Sequence, residues 1–302
     1  MFKVTRILGH SKWVILLCLL TGAMVVVVAQ KVPPSAGRAA GMTGLYPGFD
    51  KNVYPGDELM SALQKKFAFT GYWLNNPPGM TTNGWLGKRT LLRGQGYGFV
   101  VLFNGRLYAD LQAGASAGRD PAEAGRSDAA HAAAAAHREG FPAHAIVYLD
   151  QEEGGHLLPE QAAYLFAWID AIARSGYRAG VYCSGIAVGV PPVTTAGEVE
   201  QHYRHAGGRA SRRPPAIWVA NDQCPPAPGC TSVGTQLRLN ASGTSAAVIW
   251  QFAQSPRRAE FTSNCASSYA PDNQCYAPGL PHSTQTAIDL DAAASPDPSH
   301  GR

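Results

Sequence analysis

Eight short apolar segments recur along the chain, and their number and spacing limit the folds that it can adopt. They are "LYPGFD" (45–50), "FTGYWL" (69–74), "YGFVVLF" (97–103), "AIVYLD" (145–150), "AGVYCS" (179–184), "AIWVAN" (216–221), "AVIWQF" (247–252) and "AIDLD" (287–291). Most are continuously apolar, which is typical of strands that are covered on both faces. Helical patterns lie between several of them, at 54–66, 119–139, 159–176 and 195–206. The alternation predicts an α/β fold with a parallel sheet, closed into a (β/α)8 TIM-type barrel.

The second half of the predicted barrel is less regular than the first. No helical pattern is evident between residues 222 and 246, where glycine, serine, threonine and proline dominate. We therefore expect this half to be rich in loops. A doubly wound open sheet is the alternative, although no Gly-x-Gly-x-x-Gly sequence follows a predicted strand.

The amino-terminal residues are predicted to lie outside the barrel. Three basic residues precede an apolar run over 14–29, so residues 1–30 are expected to be a signal peptide or a membrane anchor. The run is long for the apolar core of a signal peptide and short for a membrane-spanning helix, so both interpretations stay open. Residues 31–43 are predicted to be a linker, 44–292 the barrel and 293–302 a disordered tail.

The charge of the chain argues against nucleic acid as a partner. The formal net charge is +4, and it falls to +1 without residues 1–30, which contain three basic residues and no acid. A nearly neutral domain has little electrostatic attraction for a phosphate backbone.

The cysteines indicate an exported protein. Cys224 and Cys230 bracket one proline-rich loop, and Cys265 and Cys275 bracket another, so two local disulfides are expected. Metal binding by the same four residues is the rival interpretation, but their spacings differ from those of zinc sites. Cys183 lies in an apolar strand and is expected to be a buried free thiol.

The strongest candidate for chemistry is the acidic pair that ends the fourth predicted strand. Asp150 and Glu152 are two residues apart, so their side chains point the same way while Gln151 turns to the other face. Their α-carbons are expected to be about 6.6 Å apart. This allows the carboxyl separations of both retaining and inverting glycosidases, and leaves the stereochemical outcome open.

Crowding of the pair predicts that one carboxyl has a raised pKa and donates a proton while the other stays ionised. We assign Glu152 as the acid because its longer side chain can reach a glycosidic oxygen. Asp150 is expected to stabilise an oxocarbenium charge, or to position a water or a substrate amide. Glu153 is expected to face away and to cap the next turn.

Other polar and aromatic residues end the predicted strands and could bind a sugar, since rings stack on its apolar faces and amides and acids bind its hydroxyls. These substrate-binding candidates are Asn75, Tyr182, Asn221, Asp222, Trp250, Gln251, Asp289 and Asp291. Three tryptophans, Trp73, Trp168 and Trp218, are assigned to the core instead. No metal signature and no nucleotide-binding loop is found, so no cofactor is expected.

Several of these segments together resemble a known group of enzymes. "GFD" (48–50), "LDQE" (149–152), "GVYCSG" (180–185), "AIWVAND" (216–222), "IWQFAQS" (249–255) and "IDLD" (288–291) are similar to family 25 glycoside hydrolases, the Chalaropsis-type lysozymes. The resemblance is closer to the glycoside-hydrolase-like domain of unknown function 1906, found in exported bacterial proteins. It covers residues 44–292, and implies a TIM-type barrel and a cell-wall polysaccharide as ligand. It also implies that Asp50, Asp150 and Glu152 line the catalytic centre.

The leading hypothesis is therefore a secreted or cell-envelope glycoside hydrolase that acts on peptidoglycan or a related glycan. A catalytically inactive barrel that binds glycan or organises the envelope is the first alternative. The second is a scaffold that stays attached to the membrane through residues 14–29.

Overall fold

The computed structural model describes residues 44–205, 213–231 and 237–302. The predicted signal or anchor segment (1–30) and the predicted linker (31–43) lie outside these residues. Within the described part of the chain, no helix is both long and apolar enough to cross a membrane.

Eight strands form a closed barrel in which each strand is hydrogen-bonded to the next in chain order, and the eighth closes onto the first. They are β1 (Tyr46–Asp50), β2 (Phe69–Trp73), β3 (Gly98–Asn104), β4 (Ile146–Asp150), β5 (Arg178–Ser184), β6 (Ala216–Ala220), β7 (Ala247–Ala253) and β8 (Asp289–Ala293). All lie in or beside the apolar segments of the sequence, and most of their residues are buried. The predicted eight-stranded barrel is confirmed.

Seven α-helices lie among the described residues. They are α1 (Asp57–Gln64), α2 (Arg89–Gln95), α3 (Tyr108–Ser116), α4 (Pro121–Arg138), α5 (Pro159–Arg174), α6 (Thr195–His205) and α7 (Ala259–Thr262). The four predicted helices are α1, α4, α5 and α6. The other three are four to nine residues long, too short for a clear 3.6-residue pattern. One 3-10 turn, Leu239–Ser242, lies in the loop-rich segment before β7.

The last strand runs in the opposite direction from the one expected. β1 to β7 are parallel, but β8 is antiparallel to both β7 and β1. The connection from β7 to β8 contains only short helices, and an antiparallel neighbour needs no crossover helix. The chain therefore leaves β7 at the mouth of the barrel and enters β8 from that same end.

Both disulfides join different loops, which corrects the predicted local pairing. Cys224 pairs with Cys265, and Cys230 pairs with Cys275, over α-carbon distances of 5.9 and 5.4 Å. The loop after β6 is thus stapled at two points to the connection between β7 and β8, because neighbouring parallel strands deliver their following loops to the same end of the barrel. Cys183 is free and buried, as expected.

Residues 293–302 are ordered against the opposite end of the barrel, so the predicted disordered tail is wrong. Ser299 is fully buried. Its hydroxyl accepts a hydrogen bond from the backbone N–H of Val101 (2.9 Å), and its carbonyl accepts one from the N–H of Ile146 (2.8 Å). The segment supplies acceptors to buried backbone donors that would otherwise be unpaired, a role that its polar composition does not reveal.

Candidate active site

A cavity of about 300 Å3 opens at the mouth of the barrel. Every strand contributes one side chain to its wall: Asp50, Trp73, Leu102, Asp150, Tyr182, Trp218, Gln251 and Asp289, from β1 to β8 in that order. Glu152, two residues beyond β4, also borders the cavity. The three acids predicted to be catalytic therefore meet in one place, although about 100 residues of chain separate the first from the other two.

Asp150 and Glu152 differ in their exposure to solvent. Asp150 is 4% exposed at the end of β4, whereas Glu152 is exposed at the rim. The two carboxyl groups lie within hydrogen-bonding reach, and burial, followed by the charge of Glu152, raises the pKa of Asp150 well above its ordinary range. A raised pKa was expected in one member of this pair, and Asp150 has one. Its protonated form is therefore favoured more than that of an exposed aspartate.

Asp50 is held by a chain of hydrogen bonds that crosses the barrel. Its Oδ2 accepts a bond from Nε2 of Gln251 (2.8 Å), and Oε1 of Gln251 accepts one from the hydroxyl of Tyr182 (2.8 Å). Gln254 donates to the same Oε1 at 2.6 Å. Burial raises the pKa of Asp50 to about 6, against the lowering effect of the bond from Gln251. Asp50 can therefore change its protonation state near neutral pH.

The two acids of β8 lie at different depths. Asp289 borders the cavity, and its Oδ1 accepts a bond from the backbone N–H of Ser255 (2.6 Å). Asp291 lies deeper, is 1% exposed and accepts a bond from Nε1 of Trp218 (3.0 Å). Burial, followed by the charge of Asp50, raises the pKa of both acids well above the ordinary range. Because β8 is reversed, these acids are the first and third residues of their strand, whereas Asp50 and Asp150 are the last residues of theirs.

Aromatic side chains form much of the remaining wall. The rings of Tyr182 and Trp218 meet edge to face, with centroids 4.8 Å apart. Trp73 donates from Nε1 to the carbonyl of Lys51 (3.2 Å), which orients its ring at the mouth. Trp73 and Trp218 are buried as expected for core residues, and they also border the cavity.

Arg258 is the only cationic residue among the described residues that border this cavity. It follows β7, and its Nε and Nη2 donate to the carboxylate of Asp222, which is fully buried. The guanidinium also lies over the ring of Phe261, 5.0 Å from its centre. Asp222, proposed from the sequence to bind substrate, thus positions Arg258 and does not itself border the cavity.

Besides Asp222 and Asp291, three predicted substrate-binding residues lie outside the cavity wall. Asn75 exchanges two hydrogen bonds with the backbone of Asn104 and links the ends of β2 and β3. Asn221 donates to the carbonyl of Ser242 (2.8 Å), and Trp250 donates to the carbonyl of Asn221 (2.7 Å). These polar groups satisfy backbone atoms of the loops around the mouth.

Glu153 stabilises the rim, but it caps α3, which lies 45 residues earlier in the chain, and not the turn that follows it. Its Oε2 accepts bonds from the backbone N–H of Tyr108, the first residue of α3, and from Nε2 of Gln161 in α5, both at 2.7 Å. A carboxylate at a helix N-terminus is favourable because the free N–H groups there carry partial positive charge.

Part of this chain matches a known protein family. Residues 92–225 match the family of the Rv2525c-like, glycoside hydrolase-like domain. The matched segment includes β3 to β6, and with them Asp150, Glu152, Tyr182 and Trp218. No curated protein matches the chain.

Several solved structures are similar to this chain. An uncharacterized protein from B. stearothermophilus has a TM-score of 0.51 at 18% identity, and the match covers 82% of this chain and 95% of that one. The Tat-secreted protein Rv2525c of Mycobacterium tuberculosis, in complex with L-tartrate, has a TM-score of 0.45 at 15% identity, and the match covers 84% of this chain and 96% of that one. A family 25 glycosyl hydrolase from Bacillus anthracis has a TM-score of 0.41 at 11% identity, with 83% of this chain and 89% of that one covered. The first of these likenesses identifies the fold.

Some residues that border the cavity were not among the candidates predicted from the sequence. Arg258 and the adjoining Ser255 and Pro256 directly follow the "WQFAQ" segment of β7, and their place after a strand was the available signal. Asn52 and Pro78 follow β1 and β2 in the same way. The described residues contain no group of three or more His, Cys, Asp or Glu arranged to hold a metal ion.

Proposed function

We propose that this protein is an exported glycoside hydrolase that cleaves peptidoglycan or a related cell-wall glycan. The observation that carries the proposal is the convergence of Asp50, Asp150, Glu152 and Asp289 on one cavity at the strand ends. Burying several acids together is costly, and such clusters are typical of sites that use the resulting pKa differences.

The wall of the cavity supports a sugar as the ligand. The buried rings of Tyr182 and Trp218 border the cavity beside the acids, and Gln251, Gln254 and Asn52 offer amide donors and acceptors. Sugars have apolar ring faces and hydroxyl edges, so a mixed wall of this kind suits them.

The chemistry that we assign is hydrolysis of a glycosidic bond. Glu152, exposed at the rim, gives a proton to the leaving oxygen as the bond to the anomeric carbon breaks. Water then adds to that carbon, and the proton that it loses returns to the carboxylate of Glu152. Asp150 shares its proton with Glu152 through their hydrogen bond and so supports the acid form of Glu152 at the moment of transfer. Asp50, with a pKa of about 6, is ionised in part near neutral pH and stabilises the positive charge that develops on the sugar ring.

Export is supported by features that do not depend on the site. Two disulfides staple the loops at the mouth, and disulfides persist in oxidising compartments. The basic and then apolar segment at residues 1–30 is typical of an export signal.

The test is release of soluble reducing ends from purified cell walls by the wild type, Glu152→Gln and Glu58→Gln. Glu58 is an exposed acid in the first turn of α1 and does not border the cavity, so its variant is the matched control. We expect the wild type and the control to release sugar at similar rates, and Glu152→Gln to lose activity by about 10²- to 10⁴-fold. Equal rates for all three would remove Glu152 from the acid role. A wild type that is retained on the walls but releases nothing would identify a glycan-binding barrel without catalysis.

A further inference from the structure

Arg258 borders the cavity at the mouth (the first cavity), and only part of its guanidinium group is used within the fold. Its Nε and Nη2 donate to the carboxylate of Asp222. Nη1 has no hydrogen-bond acceptor among the described residues, and it is not buried. A guanidinium group has five N–H donors in one plane, so three remain, and two of these lie side by side on its end edge. This open edge can bind a second carboxylate through two parallel hydrogen bonds.

Contacts between two loops fix the position of Arg258. The backbone N–H of Cys224, two residues after Asp222, donates to the carbonyl of Phe261 (3.1 Å). Cys224 also forms a disulfide with Cys265, which follows α7. The ring of Phe261 lies beside the guanidinium group, with its centre 5.0 Å away. The arginine is therefore in place before any ligand arrives, so little conformational entropy is lost when an anion binds to it.

The exposed part of the ion pair is its donor edge. Asp222 is fully buried, whereas 34% of the Arg258 side chain is exposed. The two charges cancel at long range, so recognition of an anion depends on directed hydrogen bonds to this edge. Hydrogen bonds between charged partners are about twice as strong as those to a neutral acceptor. The edge should therefore distinguish a carboxylate from an uncharged group of the same shape.

The acids of the first cavity are compatible with a bound anion. Burial raises the pKa of Asp150 and of Asp289 well above the ordinary range, and it raises the pKa of Asp50 to about 6. Their protonated forms are thus favoured more than those of exposed aspartates. The cavity therefore carries less negative charge than the number of its carboxyl groups suggests.

Lys51 is another cation near these acids, but it borders a second cavity, of about 370 Å3, and not the first. The two cavities share Asp50, Asn52, Ser255 and Asp289 in their walls. Nζ of Lys51 donates to the carbonyls of Thr284 (2.8 Å) and Ala287 (2.7 Å). Two of its three N–H donors are thus used by the backbone. Arg258 is therefore the cation that a ligand in the first cavity can reach.

We propose that the open edge of Arg258 binds a carboxylate carried by the sugar in the first cavity, so that the site selects an acidic glycan over a neutral one. This inference rests on the proposed function and narrows its substrate to a glycan whose sugar carries a free carboxylate. The first cavity is at the lower end of the range for small-molecule sites, about 300–1000 Å3, so the carboxylate must be attached close to the sugar ring.

The experiment compares two forms of one glycan by isothermal titration calorimetry. The first probe is the tetrasaccharide of N-acetylglucosamine and N-acetylmuramic acid, freed of stem peptides and with free carboxyl groups. The second is the same tetrasaccharide with its carboxyl groups converted to methyl amides, which removes the charge and keeps the length. All measurements use the Glu152→Gln background, so that the probes stay intact. We expect the acidic probe to bind about tenfold more tightly than the amide.

Two variants remove the open edge without leaving a buried charge unpaired. The double variant Arg258→Gln, Asp222→Asn replaces both ions with amides, and loss of both partners together is much less costly than loss of one. Arg258→Lys keeps a cation beside Asp222 but has no second planar edge. Each should reduce the advantage of the acidic probe to about twofold or less.

Arg257→Gln is the matched control. Arg257 is the preceding arginine in the chain, is half-buried and does not border the first cavity, and its Nε donates to Oδ1 of Asn273 (3.3 Å). This variant should keep the tenfold advantage.

Equal binding of the two probes in the Glu152→Gln background would overturn the carboxylate site, and so would an advantage that survives in both Arg258 variants. The proposed function would stand in either case, since the glycan still binds. Failure of both probes to bind would overturn the glycan assignment of the first cavity, and the carboxylate site with it.

Discussion

Asp50 and Asp289 face each other in the register of the antiparallel pair β1 and β8, and both side chains border the first and the second cavity. The charge of Asp50 adds to the effect of burial in raising the pKa of Asp289. This meeting depends on the reversed direction of β8. If β8 ran parallel to β1, the first residue of β8 would lie at the opposite end of the barrel.

The stability of the protein should depend on Asp50 between about pH 4 and 6. Its pKa rises from an ordinary 3.8 to about 6 on folding, so the native state binds more protons than the unfolded state in this range. The free energy of unfolding should then fall as pH rises. Asp50→Asn should remove the part of this loss that Asp50 causes, and so increase stability at pH 8 by about 1–3 kcal/mol. Urea unfolding at pH 4 and pH 8 measures both effects.

Glu58→Gln is the control for Asp50→Asn, because Glu58 is exposed outside the site. It should keep the pH dependence of the wild type. An Asp50→Asn variant that is no more stable than the wild type at pH 8 would contradict the assignment of a burial cost to Asp50.

The proton on Asp150 should matter for catalysis. In Asp150→Asn the amide can still donate a hydrogen bond to Glu152, but it has no proton to share with it. We expect the release of reducing ends to fall by about 10²- to 10⁴-fold while the protein stays folded. Asp110→Asn, an exposed acid of α3 that does not border the first cavity, is the control. Activity within about twofold of the control would show that Asp150 takes no part in the transfer.

Replacing Arg258 and replacing Asp222 should lower the free energy of unfolding by different amounts, although the two residues form one ion pair. Asp222 is fully buried, whereas 34% of the Arg258 side chain is exposed. Arg258→Met leaves a buried carboxylate without a partner and should cost about 3–5 kcal/mol of unfolding free energy. Asp222→Asn should cost only about 1–2 kcal/mol, because the arginine can turn to water. Equal losses in urea unfolding would contradict this asymmetry.

We expect each disulfide of the purified protein to join the loop after β6 to the connection between β7 and β8. Mass spectrometry of non-reduced peptides should recover Cys224 with Cys265, and Cys230 with Cys275. The bridges span 41 and 45 residues, for which chain entropy predicts about 4 kcal/mol of stabilisation each. The Cys230→Ser, Cys275→Ser double variant should therefore melt at a lower temperature than the wild type. Peptides that pair Cys224 with Cys230 would refute the stapled mouth.

The carboxyl-terminal residues should contribute to the stability of the barrel. Ser299→Ala removes the acceptor of the buried N–H of Val101 and should cost about 1–3 kcal/mol. Ser295→Ala, in the same segment but less buried, is a suitable comparison and should cost less. A thermal melt unchanged by Ser299→Ala would show that this contact adds nothing to the stability of the barrel.

The sequence by itself predicted the barrel and the main catalytic candidates because both depend on short-range order. Continuous apolar segments indicate buried strands wherever they occur, and a spacing of two residues puts Asp150 and Glu152 on one face of β4 without knowledge of the rest of the chain. The carboxyl ends of parallel strands meet at one mouth, so Asp50 could be placed near this pair from the strand order alone.

Only the tertiary structure decided which groups meet at long range. The direction of β8, the pairing of Cys224 with Cys265 and the burial of Ser299 depend on contacts between segments far apart in the chain, and no local pattern specifies them. The same holds for the raised pKa of Asp150, since depth in the barrel sets the desolvation of a carboxyl more than its neighbours in sequence do. Arg258 borders the cavity because Asp222, 36 residues earlier in the chain, is buried at the position where a cation can pair with it.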